Sequence, residues 1–136
     1  MGAFSSFDVS ASGLFAQRTR LDVIANNIAN AETTRTVEGG PYARRQVTFA
    51  EALDAKLKGR AGVEVAGIEA DPAPARLVYD PGHPDARPDG YVAMPNVNII
   101  QEMVEMTAAT RSYEANVTAM NAAKSMFTAA LELGRG

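Results

Sequence analysis

The chain has 136 residues, with 13 Lys and Arg against 16 Asp and Glu, one His, no Cys and no Trp, for a formal net charge of -3. That length suits one small domain with extensions. The 46% hydrophobic and 21% charged residues exclude wholesale disorder, and the slight acidic excess gives no field to draw in nucleic acid or an anionic membrane. Without Cys there is no disulfide framework, thiolate zinc site or thiol nucleophile, and one imidazole is too few for most transition-metal sites, so no cofactor is expected.

All seven prolines lie between positions 41 and 95. Proline breaks helix interiors, so this distribution predicts an N-terminal helical part over 1–34, a β-rich or irregular middle over 35–95 and a C-terminal helical part over 96–136. The fold class expected is α+β, with the two long terminal helices forming a coiled-coil-like pair beside a small β-rich module.

In the first part Phe7, Leu14, Leu21 and Ile28 recur every seven residues. Ile24 and Ala31 fill the intervening core position, while Ser10 and Gln17 leave it polar. Asp8, Arg18, Arg20 and Asp22 interrupt the stretch, so a secretory signal peptide is not expected. Gly2 and Ser6 fit the loose N-myristoylation pattern, but no polybasic cluster or second acylation site supports it. Asn26, Asn27 and Asn30 cost helix propensity. Either they fray a helix end, with Asn30 near the cap, or their amides bond neighbouring backbone or side chains and fix the register of a helical stack, as a buried Asn does in coiled coils.

In the middle part, alternating patterns predict strands over 42–49 and 63–68 and a short one over 77–79. Leu53 and Leu57, one turn apart, suggest a short helix over 50–58 closed by Gly59, and a loop is expected over 32–41. The turn-rich stretch 79–91 offers Asp80, Asp85 and Asp89 as cation ligands, but the spacing is not that of an EF-hand, and Asp before Pro or Gly is ordinary turn chemistry. His83 in such a turn reads as a solvated residue rather than a base. Arg44, Arg45, Lys56, Lys58 and Arg60 are the only basic concentration, diluted by Glu51 and Asp54.

In the last part, steps of four and three link Ile99, Met103, Met106, Thr110, Tyr113, Val117, Met120, Lys124, Phe127 and Leu131. One helix is expected from about 98 to 133, capped by Asn96 or Asn98 and closed by Gly134 in a left-handed cap. Glu102 and Glu105 read as solvating charges. Ala108, Ala109, Ala115, Ala119, Ala122, Ala123, Ala129 and Ala130 lie mostly off the seam, where a solvated helix would carry charge. The two seams also fit an ordinary intramolecular helix hairpin around its own core, but one narrow seam does not stabilise so long a helix, so neighbouring helices from other subunits are expected on the alanine faces. No phosphate loop, nucleophile elbow or zinc-binding helix motif occurs, so no enzyme activity is expected.

The segment Leu21-Asp22-Val23-Ile24-Ala25-Asn26-Asn27-Ile28-Ala29-Asn30-Ala31-Glu32-Thr33-Thr34 resembles the N-terminal signature of the bacterial flagellar rod, hook and hook-associated axial proteins. Tyr79-Asp80-Pro81-Gly82-His83-Pro84-Asp85, then Asp89-Gly90-Tyr91-Val92 and Met94-Pro95-Asn96-Val97-Asn98, look like the proximal rod members of that family, as does Arg111-Ser112-Tyr113-Glu114-Ala115-Asn116-Val117 followed by Lys124-Ser125-Met126. Thr34-Arg35-Thr36 with Gly39-Gly40-Pro41 departs from the Thr-Gly-aromatic turn of many relatives. The resemblance implies a torque-transmitting rod subunit that polymerises through its terminal helices. Implied partners are copies of itself, other rod proteins, the flagellar MS ring and the type III export apparatus, with no nucleic acid and no membrane insertion. Export without a cleaved signal to the periplasm-spanning rod is implied as well. The subunit contacts are expected at Leu14, Leu21, Ile24, Asn26, Asn27, Ile28 and Asn30 on the first helix. On the second they fall at Ile99, Met103, Met106, Tyr113, Val117, Met120, Phe127 and Leu131. Another rod subunit, a secreted effector and an export chaperone are the rival readings.

Overall fold

The computed structural model describes residues 2–53 and 61–136. Helix α1 spans Gly2–Ala29 and helix α2 spans Ile99–Gly134. Between them lie two antiparallel strand pairs, β1 (Arg45–Leu53) with β2 (Ala61–Ala70) and β3 (Arg76–Tyr79) with β4 (Tyr91–Met94). The α+β class, with long terminal helices and a small two-sheet middle, is the one the sequence predicts.

Asn98 starts α2. Its backbone is extended, and its Oδ1 accepts hydrogen bonds from the N–H groups of Ile100 and Gln101 at 3.1 and 3.3 Å, two of the donors that a helix start leaves unpaired. Asn96, the other candidate cap, binds elsewhere. The helix does not end in the expected left-handed glycine: Gly134 is its last residue, and Arg135 follows in right-handed geometry with its N–H donating to the Glu132 carbonyl. Helix α1 stops at Ala29, short of residue 34, because Asn30 turns the chain. The Asn30 N–H and Nδ2 both donate to the Asn26 carbonyl, and the Thr33 hydroxyl donates to Asn30 Oδ1.

Small residues bring the helices together. They run antiparallel, Asn27 meeting Glu102 at one end and Gly13 meeting Asn116 further along. A Cβ on Gly13 would lie 2.9 Å from the Asn116 amide nitrogen. Ala16 on α1 and Ala109 and Ala123 on α2 are buried beside Val23 and Ile24, and Val92 and Val97 extend this core toward the second hairpin. The large apolar seam on α2 is rotated by about 60° from this contact line, so much of it stays uncovered.

The helix expected over 50–58 is overturned for its first four residues. β1 runs through Leu53, pairing Ala50, Glu51, Ala52 and Leu53 with Glu64, Val63, Gly62 and Ala61 past a bulge at Thr48/Phe49. A nine-residue ladder outweighs the single helical turn that Leu53 and Leu57 could nucleate. Leu57, Gly59, Lys56, Lys58 and Arg60 lie outside the described residues. This hairpin lies against α1, where Ser12 Oγ accepts from the Val63 N–H at 3.1 Å, and only glycine at 62 lets the strand come so close to Ser12. β4 was not foreseen in the sequence. Its Tyr91 stacks edge-on with Tyr79 at 5.2 Å, and Gly90, at φ +85°, turns the chain into it.

Candidate functional site

A polar hub joins both terminal helices to the start of β1. Asn27, 1% exposed, uses every bonding position of its amide. Oδ1 accepts from the Arg45 N–H and the Tyr42 hydroxyl, both at 2.9 Å, and Nδ2 donates to the Arg45 carbonyl at 2.8 Å and to Glu102 Oε2 at 3.3 Å. The chain is thereby held to α1 where β1 begins, at the Arg45 backbone and the Tyr42 hydroxyl.

Arg44 extends the hub to α2. Its Nε donates to Glu102 Oε1, and the rest of the guanidinium reaches Asp71 and Glu105, each at 3.2 Å. Its backbone N–H donates to Asn96 Oδ1 at 2.7 Å, and the Asn96 amide donates to the Ala73 carbonyl at 2.9 Å. Glu102 is wholly buried, so the reading of Glu102 and Glu105 as solvating charges is overturned, and Arg44 belongs to the interior rather than to a basic surface. Burial opposes the Arg44 charge, but the hydrogen bond and charge of Glu102, with Glu105 and Asp71 behind them, outweigh it and hold the guanidinium above its usual pKa. Burial, aided by the Glu102 charge and opposed by Arg45, pushes the Tyr42 phenol up. The cleft of about 590 Å³ beside the hub is walled by Arg20, Arg44 and Arg45 together with Asp71 and Glu105. Three cations thus face two carboxylates, and Arg44 is already paired with both acids, as suits a structural joint.

The other anticipated residues divide by exposure. Ile24 is buried, Leu14, Leu21, Ile28 and Asn30 are half-buried, and Asn26 is exposed. On α2, Met106, Val117, Met120 and Phe127 are half-buried, whereas Ile99, Met103, Tyr113 and Leu131 are exposed. The hub partners Tyr42, Arg44, Asp71, Asn96 and Glu102 were not anticipated. One signal was available: Glu102, Ala109, Asn116 and Ala123 recur every seven residues, and that polar and small line is the one facing α1.

The turn acids serve the fold. Asp85 accepts from the Thr34 hydroxyl at 2.7 Å and pairs with Arg35, Asp89 accepts from the Tyr91 N–H, and half-buried His83 accepts the Asp85 N–H on Nδ1. The Thr34 and Arg35 hydrogen bonds hold the Asp85 carboxyl below its usual pKa. A depressed carboxylate stabilises above its unfolded pKa, and that contribution is lost as pH falls through the folded value. Acidification should therefore release the 80–90 turn from residues 34 and 35, with a midpoint below that of a free aspartate. Amide exchange at Thr34 and Asp85 checks this, and Asp85→Asn should remove the transition.

Comparison with known proteins follows the same anatomy. The model described as "Flagella basal body rod protein" matches residues 7–35, and the one described as "Flagellar basal body rod FlgEFG protein C-terminal" matches 89–133. These segments contain most of α1, with Asn27, and β4 and nearly all of α2, with Asn96, Glu102 and Glu105. Among curated relatives, the flagellar basal-body rod protein FlgC of Borreliella burgdorferi is 48% identical, with all of both chains covered. Those of Bacillus subtilis and Salmonella typhimurium are 47% and 43% identical, each with 99% of this chain and all of the relative covered.

Proposed function

The chain belongs to the FlgC family of flagellar basal-body rod proteins and is a structural subunit of that rod, and from this premise we propose that it polymerises through α1 and α2 to carry motor torque. The observation that carries the reading is large apolar surface left bare on both helices. Phe15 is 68% exposed, Ile100 75%, Met126 72% and Leu133 84%, and every residue over 128–136 is exposed. Helical turns without tertiary cover are marginal in water, so neighbouring subunits supply the missing apolar partners. Copies of the chain and other rod proteins fill that role at the proximal end, next to the MS ring, after export through the type III apparatus without a cleaved signal.

The reading is of a part that catalyses nothing. Its most buried carboxylate is committed to Arg44, and Asp85 to Thr34 and Arg35. No described helix is long and apolar enough to cross a membrane.

Circular dichroism of dilute monomer against assembled rod tests the proposal. Helix signal per residue should rise on assembly as the ends of α1 and α2 gain cover. Equal helix content in the two states would overturn the dependence of those ends on neighbours.

A further inference from the structure

Helix α2 has distinct faces on two opposite sides. The line of Glu102, Ala109, Asn116 and Ala123 faces α1. About half a turn away, Ile100, Val104, Ala108, Ala115, Ala122 and Met126 form a second line that is exposed throughout. Arg111 is the one charge within it, and no salt bridge among the described residues engages Arg111. The outer side of α1 has the complementary character: Phe15 projects between Asp8 and Asp22, each seven residues away, with Arg18 close by, and all four are exposed.

Resting on the rod reading above, we propose that the outer side of α2 receives the outer side of α1 from a second copy of this chain, with Asp22 of that copy paired to Arg111. The intramolecular register fixes the axial offset. Asn27 lies level with Glu102 and Gly13 with Asn116, which puts Arg18 level with Arg111. Two copies side by side at the same height would oppose these like charges. Sliding one copy by about one helical turn, roughly 6 Å, replaces that repulsion with the Asp22 to Arg111 attraction. It also moves Phe15 onto the alanines at 115, 119 and 122, a large ring against the smallest side chains on the helix. The contact is heterologous, since the donor surface is on α1 and the acceptor on α2. Repetition with a constant axial step generates a helical array rather than a closed dimer.

Charge reversal and cysteine pairing test the contact on the full chain. Arg111→Asp and Asp22→Arg should each weaken self-association by about tenfold, and the double variant, which restores opposite charges, should recover it. Failure of the double variant to recover would overturn the pairing. Because the natural chain has no Cys, Phe15→Cys and Ala119→Cys, made in separate copies and mixed, should form a disulfide that neither forms alone to the same extent. A link predominantly between two Phe15→Cys copies would overturn the proposed geometry. Rods that incorporate all the charge variants at the natural level would likewise sink this contact while leaving rod membership intact.

Discussion

Replacing Arg44 by Ala is expected to cost about 3–5 kcal/mol of stability, the range for breaking a buried ion pair from one side. The cause is the group left behind. Glu102 is fully buried and would keep only its 3.3 Å bond from Asn27, while Glu105 and Asp71 would lose the cation between them. At roughly 3 °C per kcal/mol for a chain of this size, the melting midpoint should fall by about 10–15 °C, readable from the helix signal on heating. Changing both partners to apolar residues, Arg44→Met with Glu102→Leu, should recover much of the loss, because no buried charge is then orphaned. If Arg44→Ala melts like the natural chain, the hub is not what holds β1 to α2.

Asn27→Leu is expected to cost about 2–4 kcal/mol, since leucine has the same branching but is larger and satisfies neither the Arg45 N–H and carbonyl, nor the Tyr42 hydroxyl, nor the second Glu102 oxygen. The chain-entry geometry of β1 should loosen with it. Faster amide exchange at Arg45, with the α1 amides near Ala16 unchanged, distinguishes a local loss from global destabilisation. Asn27→Asp should fare nearly as badly, because a carboxylate cannot donate and would face Glu102. Unchanged exchange at Arg45 in Asn27→Leu would refute this role. The bonds of Asn27 are all within its own chain, so the register it sets first is that of α1 against α2 and β1.

Much of the architecture could be read from residue types. The helices were legible because proline is absent from both ends and Asn98 supplies a start signal, and β2 because Val63, Val65 and Ile68 give a short run of β-branched residues. The site was harder. A seam of large apolar residues is conspicuous, but the helices meet through Gly13, Ala16, Ala109 and Ala123, where close approach favours small side chains. Arg44 and Glu102 are 58 positions apart, and no local pattern joins them; their meeting depends on the middle module folding back between the helices. β4 was missed because its four residues adjoin a proline-rich turn, and its pairing partner β3 is equally short. The strand over 50–53 overrode local helical spacing because its ladder partners were supplied from 61–64.

The guanidinium of Arg44 is a three-way fork, gripping Asp71 from the middle module and Glu102 and Glu105 from successive sites on α2. The prongs are unequal: Asp71 and Glu105 are reached by water, so either contact can open and re-form at small cost, while the contact with fully buried Glu102 holds the fork in place.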